Sequence, residues 1–433
     1  MQEGLMSIDT VNVSDKAAAG DLYSLKIRDL WVFFKSQDAL FWLVSLYLFL
    51  EYVRPQTLYP VLDILPYTQI IILLTLLLFF MQNKVTLVEN IENRLLLCFF
   101  GVILLSSIFA MSPAIAFAKL PEFIAWMLVY FLIVNIVNSE NRFLLFLLMF
   151  LLYNLKMSQF ALRGWASIGF GFGKDGTGGG PGWFQNSGEF GIEMCVFFSL
   201  AVYFIIALKD HWPKWKLCAF LFLPLTALAG IISSSSRGAL VGGAAVLAWM
   251  LFKSKRKFFA VLMVGIVCIM AYKAVPHEQK ARFETVGEDR TSINRTERWQ
   301  KGIAMANKNP VLGVGYGNWV IADRIMFSGE GALSHNAFIE CVSELGYSGL
   351  FVYALMIVFC FVNNYRTRNV LKQNNQENGF AYYMAHGLDG ALVGYLVSGF
   401  FVTVLYYPYF WINLALTVAL NGIALRRQPA HVQ

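Results

Sequence analysis

Long apolar runs constrain the fold of this chain more than any other feature of its sequence. Each run has about 17–25 residues, the length that crosses the hydrocarbon core of a bilayer as a helix. Twelve such runs occur, near 38–53, 61–81, 94–110, 115–137, 142–157, 188–207, 215–233, 237–252, 257–274, 336–362, 382–405 and 408–425. Because backbone polar groups in lipid must be satisfied internally, the runs predict an all-α polytopic membrane protein with about twelve transmembrane helices.

The composition leaves little room for a soluble domain. Of the 433 residues 58% are hydrophobic and only 14% are charged, whereas soluble domains are closer to a quarter charged. Residues 1–37 are polar and mixed in charge, so we expect the first span to act as the insertion signal. The six cysteines show no CxxC spacing, which favours packing over disulfides or metal binding.

Basic residues orient the predicted spans. They are concentrated in the amino-terminal tail, in alternate loops and in the carboxyl-terminal tail: Lys16, Lys26, Arg28, Lys35, Lys209, Lys214, Lys216, Lys253, Lys255, Arg256, Lys257, Arg366, Arg368, Lys372, Arg426 and Arg427. The positive-inside rule makes that side cytoplasmic. Tails 1–37 and 426–433 are then both cytoplasmic, and the net charge of +7 reflects topology and not nucleic-acid binding.

Two long loops are predicted on the outer, periplasmic side. Among spans one to nine, residues 38–274, the loop 158–187 is rich in glycine and aromatic residues, which favours a structured loop dipping towards the membrane. It contains no GxxxxGK[ST] motif, so nucleotide binding is disfavoured. The loop 275–335 is polar and precedes the last three spans, 336–425. Ionisable groups at a membrane boundary usually serve a substrate, so 275–335 is the predicted active-site loop.

His335 ends this loop and is the candidate catalytic residue. Of the five histidines it alone occupies a place where chemistry at the membrane surface is plausible. It could be a polar donor or base, or simply a residue at the start of a helix beside a Ser334 cap. Glu340 and Glu344 fall on other faces of the next helix, so no His–Glu dyad is predicted. Glu344 is instead expected to be paired inside the bundle, or to bind substrate.

Arginines form the second candidate set. Arg237 follows four serines and opens a span rich in small residues, so a guanidinium, hydroxyls and a helix amino end would meet at one anion site. In the loop, Arg290, Arg295 and Arg298 precede Trp299. Planar guanidinium forks suit a pyrophosphate or sugar phosphate. The alternatives are a snorkelling arginine at 237 and solvated charges in the loop.

Other chemistries lack their residues. The sequence has no HExxH, no GxSxG and no aspartate cluster on the outer side, so we expect neither a metal nor a cofactor. Lys119 and Glu122 are three residues apart on one predicted helix and are expected to neutralise each other. A transporter would show an internal repeat and midplane ionisable groups, and neither is evident.

Four elements together resemble the O-antigen ligase and O-antigen polymerase superfamily of bacterial envelope enzymes. They are Ser234–Ala239, the Arg295-x-x-x-Trp299 element, Asn309–Asn318, and Ser334-His335-Asn336 with Glu344–Gly349. Their order and spacing, and the long loop before the histidine, match over roughly residues 183–360. The resemblance implies a glycosyltransferase-C-like architecture in the bacterial inner membrane.

The resemblance also implies a reaction. The donor would be a glycan on undecaprenyl pyrophosphate, and the acceptor a lipid A-core or a growing glycan. Arg237 and Arg295 would hold the pyrophosphate, with Arg290 and Arg298 as near alternatives, and His335 would activate the acceptor hydroxyl for inverting, metal-independent attack. Asn336 and Asn186 are further substrate-binding candidates, Asn186 on a looser match.

Several functions stay open at this stage. A ligase and a repeat-unit polymerase use the same donor and differ in acceptor, and the motifs fit both. A protein O-glycan ligase, a transporter of polyprenyl-linked sugars and a non-catalytic assembly protein are less favoured alternatives. We expect lipid as a partner and no nucleic acid.

Overall fold

The computed structural model describes residues 22–82, 87–171, 176–180, 184–254 and 290–426, with isolated residues at 258, 261, 262 and 265. Its principal helices are α1 Ile27–Lys35, α2 Ala39–Tyr52, α3 Tyr67–Phe80, α4 Ile91–Ile108, α5 Pro113–Ile136, α6 Glu140–Ser167, α7 Ser187–Leu208, α8 Lys214–Ser233, α9 Arg237–Lys253, α10 Arg290–Lys308, α11 Trp319–Phe327, α12 Ala337–Gln373, α13 Phe380–Ser398 and α14 Pro408–Leu425. No β-strand occurs in these described ranges.

The predicted fold class is confirmed: the protein is an all-α, multi-pass membrane protein. Seven of the described helices are long and apolar enough to cross a bilayer, or eight if the bent pair Ile27–Lys35 and Ala39–Leu58 forms one span. Eleven of the twelve predicted spans coincide with a helix. The other, 257–274, lies outside the described residues, so the count of twelve stays a prediction.

Burial identifies the centre of the bundle. In α7 and α14, 83% and 94% of the most apolar stretch is buried, against 33% in α4. Helix α7 packs against α8, α9 and α13, and α12 packs against α4, α10 and α14. Aromatic side chains fill the centre, for example Phe123 against Trp411 with ring centroids 5.0 Å apart.

Hydrogen bonds place the basic segments together at one end of the bundle. Trp212 Nε1 donates to Tyr23 O at 2.8 Å, and Lys216 Nζ donates to Ser24 O at 2.8 Å. At the same end Arg142 pairs with Asp38 at 2.7 Å. The amino-terminal tail and the loop after α7 therefore share one side, as predicted.

The opposite end brings together six connecting segments, which are joined in pairs. Met111 N donates to Val314 O at 2.9 Å, Thr177 N to Ser233 O at 3.0 Å, and His335 N to Thr403 Oγ1 at 2.8 Å. Every predicted site element in the described residues lies at this end. That it faces the periplasm remains a prediction from the charges.

The connection between the last two helices differs from the prediction. The span expected at 382–405 ends at Ser398, and a 3-10 turn, Gly399–Phe401, leads into extended backbone at Val402. The residues of this segment are still mostly apolar, but its backbone is not α-helical. The Leu405 amide, for example, donates to Glu340 Oε2 of α12 at 3.2 Å. We call residues 399–407 the strap.

Three other helix limits differ from the predicted ones. Helix α6 extends ten residues beyond the run predicted at 142–157, because Ser158 finds a buried partner in Thr226 at 3.0 Å. Helix α3 begins at Tyr67 and not at 61, since Pro60 and Pro66 interrupt the preceding backbone. Helix α12 continues to Gln373, beyond the predicted 362.

Candidate active site

His335 is held in a fixed orientation at the start of α12. Its φ is 51°, in the left-handed region that non-glycine residues seldom adopt, at a cost of about 1–3 kcal/mol. Two contacts offset this cost. The His335 amide donates to Thr403 Oγ1 at 2.8 Å, and Asn336 caps α12 by accepting from the amides of Phe338 and Ile339 at 2.9 and 3.1 Å.

The electrostatic surroundings keep the His335 imidazole neutral. Burial first, and then the guanidiniums of Arg298 and Arg295, lower the pKa of His335 from 6.5 to about 4. The side chain is half-buried and so still reachable from solvent. At neutral pH the ring therefore has one nitrogen lone pair available to accept a proton.

Helix α10 carries the loop arginines to His335. Arg295 and Arg298 are three residues apart and share one helical face, and Arg298 Nη1 donates to Leu333 O at 3.4 Å. A side chain at Gly302 would meet Ile339 at 2.3 Å, so α10 and α12 approach closely there. Arg290 begins the helix, and its side chain lies outside the described set.

A pair of salt bridges through Lys301, one turn after Arg298, holds α10 against α11. Lys301 Nζ lies 3.3 Å from both Glu297 Oε1 and Asp323 Oδ1. Asp323 also accepts from the Gly331 amide at 3.0 Å, which ties α11 to the segment leading to His335. The arginine face is thus positioned from two directions.

Arg237 begins α9 at a tight serine turn. Ser236 caps the helix by accepting from Ala239 N at 3.3 Å, and Ser235 has a φ of 54°. The glycine-rich segment covers this turn, with Thr177 Oγ1 donating to Ser233 Oγ at 2.7 Å. A side chain at Gly176 would meet Ser234 O at 2.0 Å, so glycine is required there.

Asn186 lies close to the serine turn. It caps α7 by accepting from Gly188 N at 2.8 Å. A Cβ at Gly188 would lie 3.2 Å from Val402 and 3.9 Å from Ser236 Oγ, and one at Gly238 would lie 2.7 Å from Phe401. The starts of α7 and α9 therefore both pack on the strap.

The strap is the element that sequence reasoning missed. Phe401 and Val402 lie against the starts of α9 and α7, close to Arg237. The next residue, Thr403, accepts a hydrogen bond from the His335 amide. It therefore connects the two halves of the predicted site. A signal was present in the sequence: Thr403 and the polar-tipped Tyr406, Tyr407 and Tyr409 interrupt an otherwise apolar stretch.

Glu344 holds the Gly313–Asn318 loop against α12. Its two oxygens accept from Gly317 N at 2.9 Å and Trp319 N at 3.1 Å, and Tyr406 OH donates to it at 3.1 Å. These contacts agree with the expectation of a carboxylate paired inside the bundle. Because both carboxylate oxygens already accept hydrogen bonds, they are less available to a substrate. The substrate-binding role of Glu344 stays a prediction.

Helix α12 is broken beside Glu344. Gly346 has φ 70° and ψ −173°, which no L-residue adopts without strain. The carbonyls released by this break accept from the inserted loop: Val314 N donates to Ser343 O at 2.8 Å, and Gly315 N to Glu344 O at 3.1 Å. The glycines of the loop thus allow close backbone contact with α12.

The predicted pairing of Lys119 with Glu122 is wrong. In the described part of the chain no ion pair within 4.0 Å joins them, and Lys119 Nζ donates to Gly317 O at 3.4 Å. The docked loop offers the ammonium a carbonyl that helix spacing alone could not reveal. Within the described residues no three His, Cys, Asp or Glu side chains group as metal ligands.

In the described residues of this multi-pass membrane protein, His335 therefore lies near the face of α10 that carries Arg295 and Arg298, and the strap links it to the turn before Arg237. Residues 221–354 match the family model described as O-antigen ligase. That range includes Arg237, Arg295, the Gly313–Asn318 loop and His335. The match supports the O-antigen ligase and polymerase superfamily, and the resemblance drawn from the motifs is confirmed.

A curated relative points to the same superfamily. The chain is 28% identical over 207 residues to the exopolysaccharide production protein ExoQ of Rhizobium meliloti (strain 1021). The alignment covers 43% of this chain and 47% of ExoQ, so the chain spans about half the length of that relative. The chain is thus similar both to the O-antigen ligase family model and to a protein named for exopolysaccharide production.

Proposed function

We propose that the protein transfers a glycan from undecaprenyl pyrophosphate to an acceptor hydroxyl on the periplasmic side of the bacterial inner membrane. The observation that carries this proposal is His335: its backbone amide is held by Thr403, and its half-buried imidazole is kept neutral by burial and by Arg298 and Arg295 of α10. A neutral histidine at a solvent-accessible site suits a general base.

In the proposed reaction one bond forms and one breaks at the anomeric carbon. The acceptor oxygen attacks that carbon, its proton passes to the His335 imidazole, and the bond to the pyrophosphate oxygen breaks with inversion. Arg237 and Arg295 bind the leaving pyrophosphate, because guanidinium forks bind phosphate oxygens in pairs. Arg298 adds positive charge, and Arg290 at the start of the same helix is a further candidate.

Transfer onto a lipid A-core, as by an O-antigen ligase, is the first candidate. The second candidate is extension of a growing glycan, as by a repeat-unit polymerase; it is supported by the similarity to a protein of exopolysaccharide production. The glycan profile of a deletion strain separates them. Polymer that accumulates on its lipid carrier indicates a ligase, and a single repeat unit on the acceptor indicates a polymerase.

Purified protein and a lipid-linked donor test the reaction itself. We expect transfer to the acceptor with one undecaprenyl pyrophosphate released per bond formed, and we expect it to survive excess EDTA. Movement of intact donor across a vesicle membrane without cleavage would replace the proposal with a transporter. Activity lost in EDTA and restored by Mg²⁺ or Mn²⁺ would overturn the metal-independent mechanism.

A further inference from the structure

Two charged residues of α5 take no part in the proposed reaction. Lys119 and Glu122 are both exposed, six and nine residues after the helix begins at Pro113. Pro121 lies between them and cannot donate to the carbonyl of Phe117, so this turn carries a further polar group. Charged side chains on a membrane-spanning helix are unfavourable against lipid and usually line a wet cavity or a pathway.

Contacts show what these residues face. Lys119 Nζ donates to Gly317 O at 3.4 Å, and its own backbone carbonyl accepts from Tyr316 OH at 3.3 Å. Both partners belong to the loop that Glu344 holds against α12. The Lys119 end of α5 therefore lies beside the site and not in the lipid.

Glu122 lies beside the end of the strap, because the ring of the next residue, Phe123, contacts the Tyr406 ring with centroids 6.4 Å apart. Burial first and then the Glu189 carboxylate raise the pKa of Tyr407, and Glu122 is among the carboxylates that add to this effect. The Tyr407 hydroxyl donates to Glu189 Oε1 at 2.9 Å. Tyr407 thus lies between carboxylates contributed by α5 and α7.

The strap relates this cluster to His335. Thr403 accepts from the His335 amide, and Tyr407 follows four residues later. An extended chain covers about 3.3 Å per residue, so the two points are at most about 13 Å apart along the strap. A short oligosaccharide can lie over such a length with one hydroxyl at the imidazole.

The two ends of the strap differ in charge. Arg237, Arg295 and Arg298 make the end near His335 cationic, which suits a pyrophosphate. Glu122 and Glu189 outnumber Lys119 at the other end, so a second pyrophosphate would be repelled there. Carboxylates that accept from hydroxyls, an ammonium that donates, and a half-buried tyrosine ring instead suit an uncharged sugar.

We propose that Lys119, Glu122, Glu189 and Tyr407 form the subsite that binds the acceptor sugar and directs its hydroxyl to His335. This assignment rests on the proposed function. A subsite of this kind predicts that loss of one of its contacts weakens binding of the acceptor and leaves binding of the donor unchanged.

The test uses the purified full-length protein with Glu122→Gln and Lys119→Met. We expect the acceptor KM to rise about tenfold or more for each, the effect of losing a hydrogen bond to a charged group. The donor KM should stay unchanged. Glu330→Gln, which removes an exposed carboxylate in the loop before His335, is the matched control and should change neither value.

Size-exclusion profiles and thermal unfolding confirm that each variant is folded. Tyr407→Phe keeps the ring and removes the bond to Glu189, so it should give a smaller rise in acceptor KM than Glu122→Gln. An unchanged acceptor KM in both charge variants, or an equal rise in donor KM, overturns the subsite alone. A folded wild-type protein that transfers nothing from the lipid-linked donor overturns the proposed function, and the subsite with it.

Discussion

Arginine occurs near both ends of the bundle, and its surroundings differ. Near the end opposite His335, Arg368 Nη1 donates to Asp389 Oδ2 at 2.7 Å and Asn364 donates to the other oxygen at 2.8 Å, with all three side chains buried. At the His335 end, Arg298 is half-buried and bonds only weakly to Leu333 O at 3.4 Å.

The difference separates structural charges from functional ones. A buried pair whose oxygens are already occupied has nothing to offer a ligand, and it fixes the packing of α12 against α13. At the His335 end, the positive charges of Arg298 and Arg295 act on a histidine and lower its pKa, so they influence a group that can take part in chemistry. We therefore assign catalysis to the His335 end and stability to the other.

We expect the end of the bundle that carries His335 to face the periplasm, and labelling should answer this with a yes or a no. In a background without native cysteines, a cysteine at Ser328 should react fully with an impermeant thiol reagent added to whole cells with a permeabilised outer membrane. A cysteine at Gln373, also exposed, should react only after the inner membrane is lysed. The reverse pattern would place the site in the cytoplasm and contradict a periplasmic transferase.

His335→Ala should give the largest kinetic effect. Loss of a general base lowers turnover by about 10²–10⁴-fold, and the amount of folded protein should stay normal because the ring is only half-buried. Initial rates with purified protein, set beside the thermal unfolding midpoint, measure both. Near-normal transfer by folded His335→Ala would refute the catalytic assignment.

Arg368→Met should show the opposite signature. Removing one partner of a buried ion pair leaves Asp389 uncompensated, which costs about 3–5 kcal/mol. We expect less protein in the membrane and a lower unfolding midpoint, with unchanged turnover per folded molecule. Adding Asp389→Asn removes the stranded charge and should restore part of the stability. A turnover defect without a stability defect would contradict the comparison.

Arg237→Lys should give an intermediate effect on rate. Lysine keeps the charge but loses the two-pronged contact with phosphate, and losing one hydrogen bond to a charged group costs about 1.5–3 kcal/mol, or about 10- to 150-fold. Arg295→Ala should resemble Arg237→Ala. Arg324→Ala, exposed on α11, is the control and should be mild. Full activity in Arg237→Lys would indicate a snorkelling side chain instead.

The helices could be predicted because apolar length alone specifies a span. The strap was missed because Val402, Val404 and Leu405 continue the apolar run and outweigh the polar signal of Thr403 and the tyrosines; its hydrogen bond to Glu340 on α12 shows where the non-helical backbone is satisfied. The same limit explains the error at Lys119. Helix spacing predicted its partner on α5, whereas the partner is a loop carbonyl about 200 residues away in sequence.

The candidate site was predictable in part for a related reason. Residue type identified His335 and the arginines, since few other groups carry their chemistry. Residue type could not separate a ligand from a support: Asn336 and Glu344 are polar and near His335, yet the structure uses their oxygens as a helix cap and a loop anchor. That distinction depends on which donors the fold brings to each oxygen.

The smallest effect is expected from pH between about 5 and 8. With a pKa of about 4, the His335 imidazole is protonated in only about one molecule in a hundred at pH 6, against about three in four for an ordinary pKa of 6.5. The reactive neutral form therefore dominates throughout, and turnover should stay flat until pH falls through about 4.

Arg298→Gln removes a neighbouring positive charge that lowers the pKa of His335. The pH at which turnover begins to fall in acid should therefore be higher in this variant than in the wild type, independently of any change in the maximal rate. The profile of kcat against pH, taken over the range where the protein stays folded, measures both limbs. A wild-type limb near 6.5 would mean that the imidazole is solvated, and would remove the electrostatic difference between the two ends of the bundle.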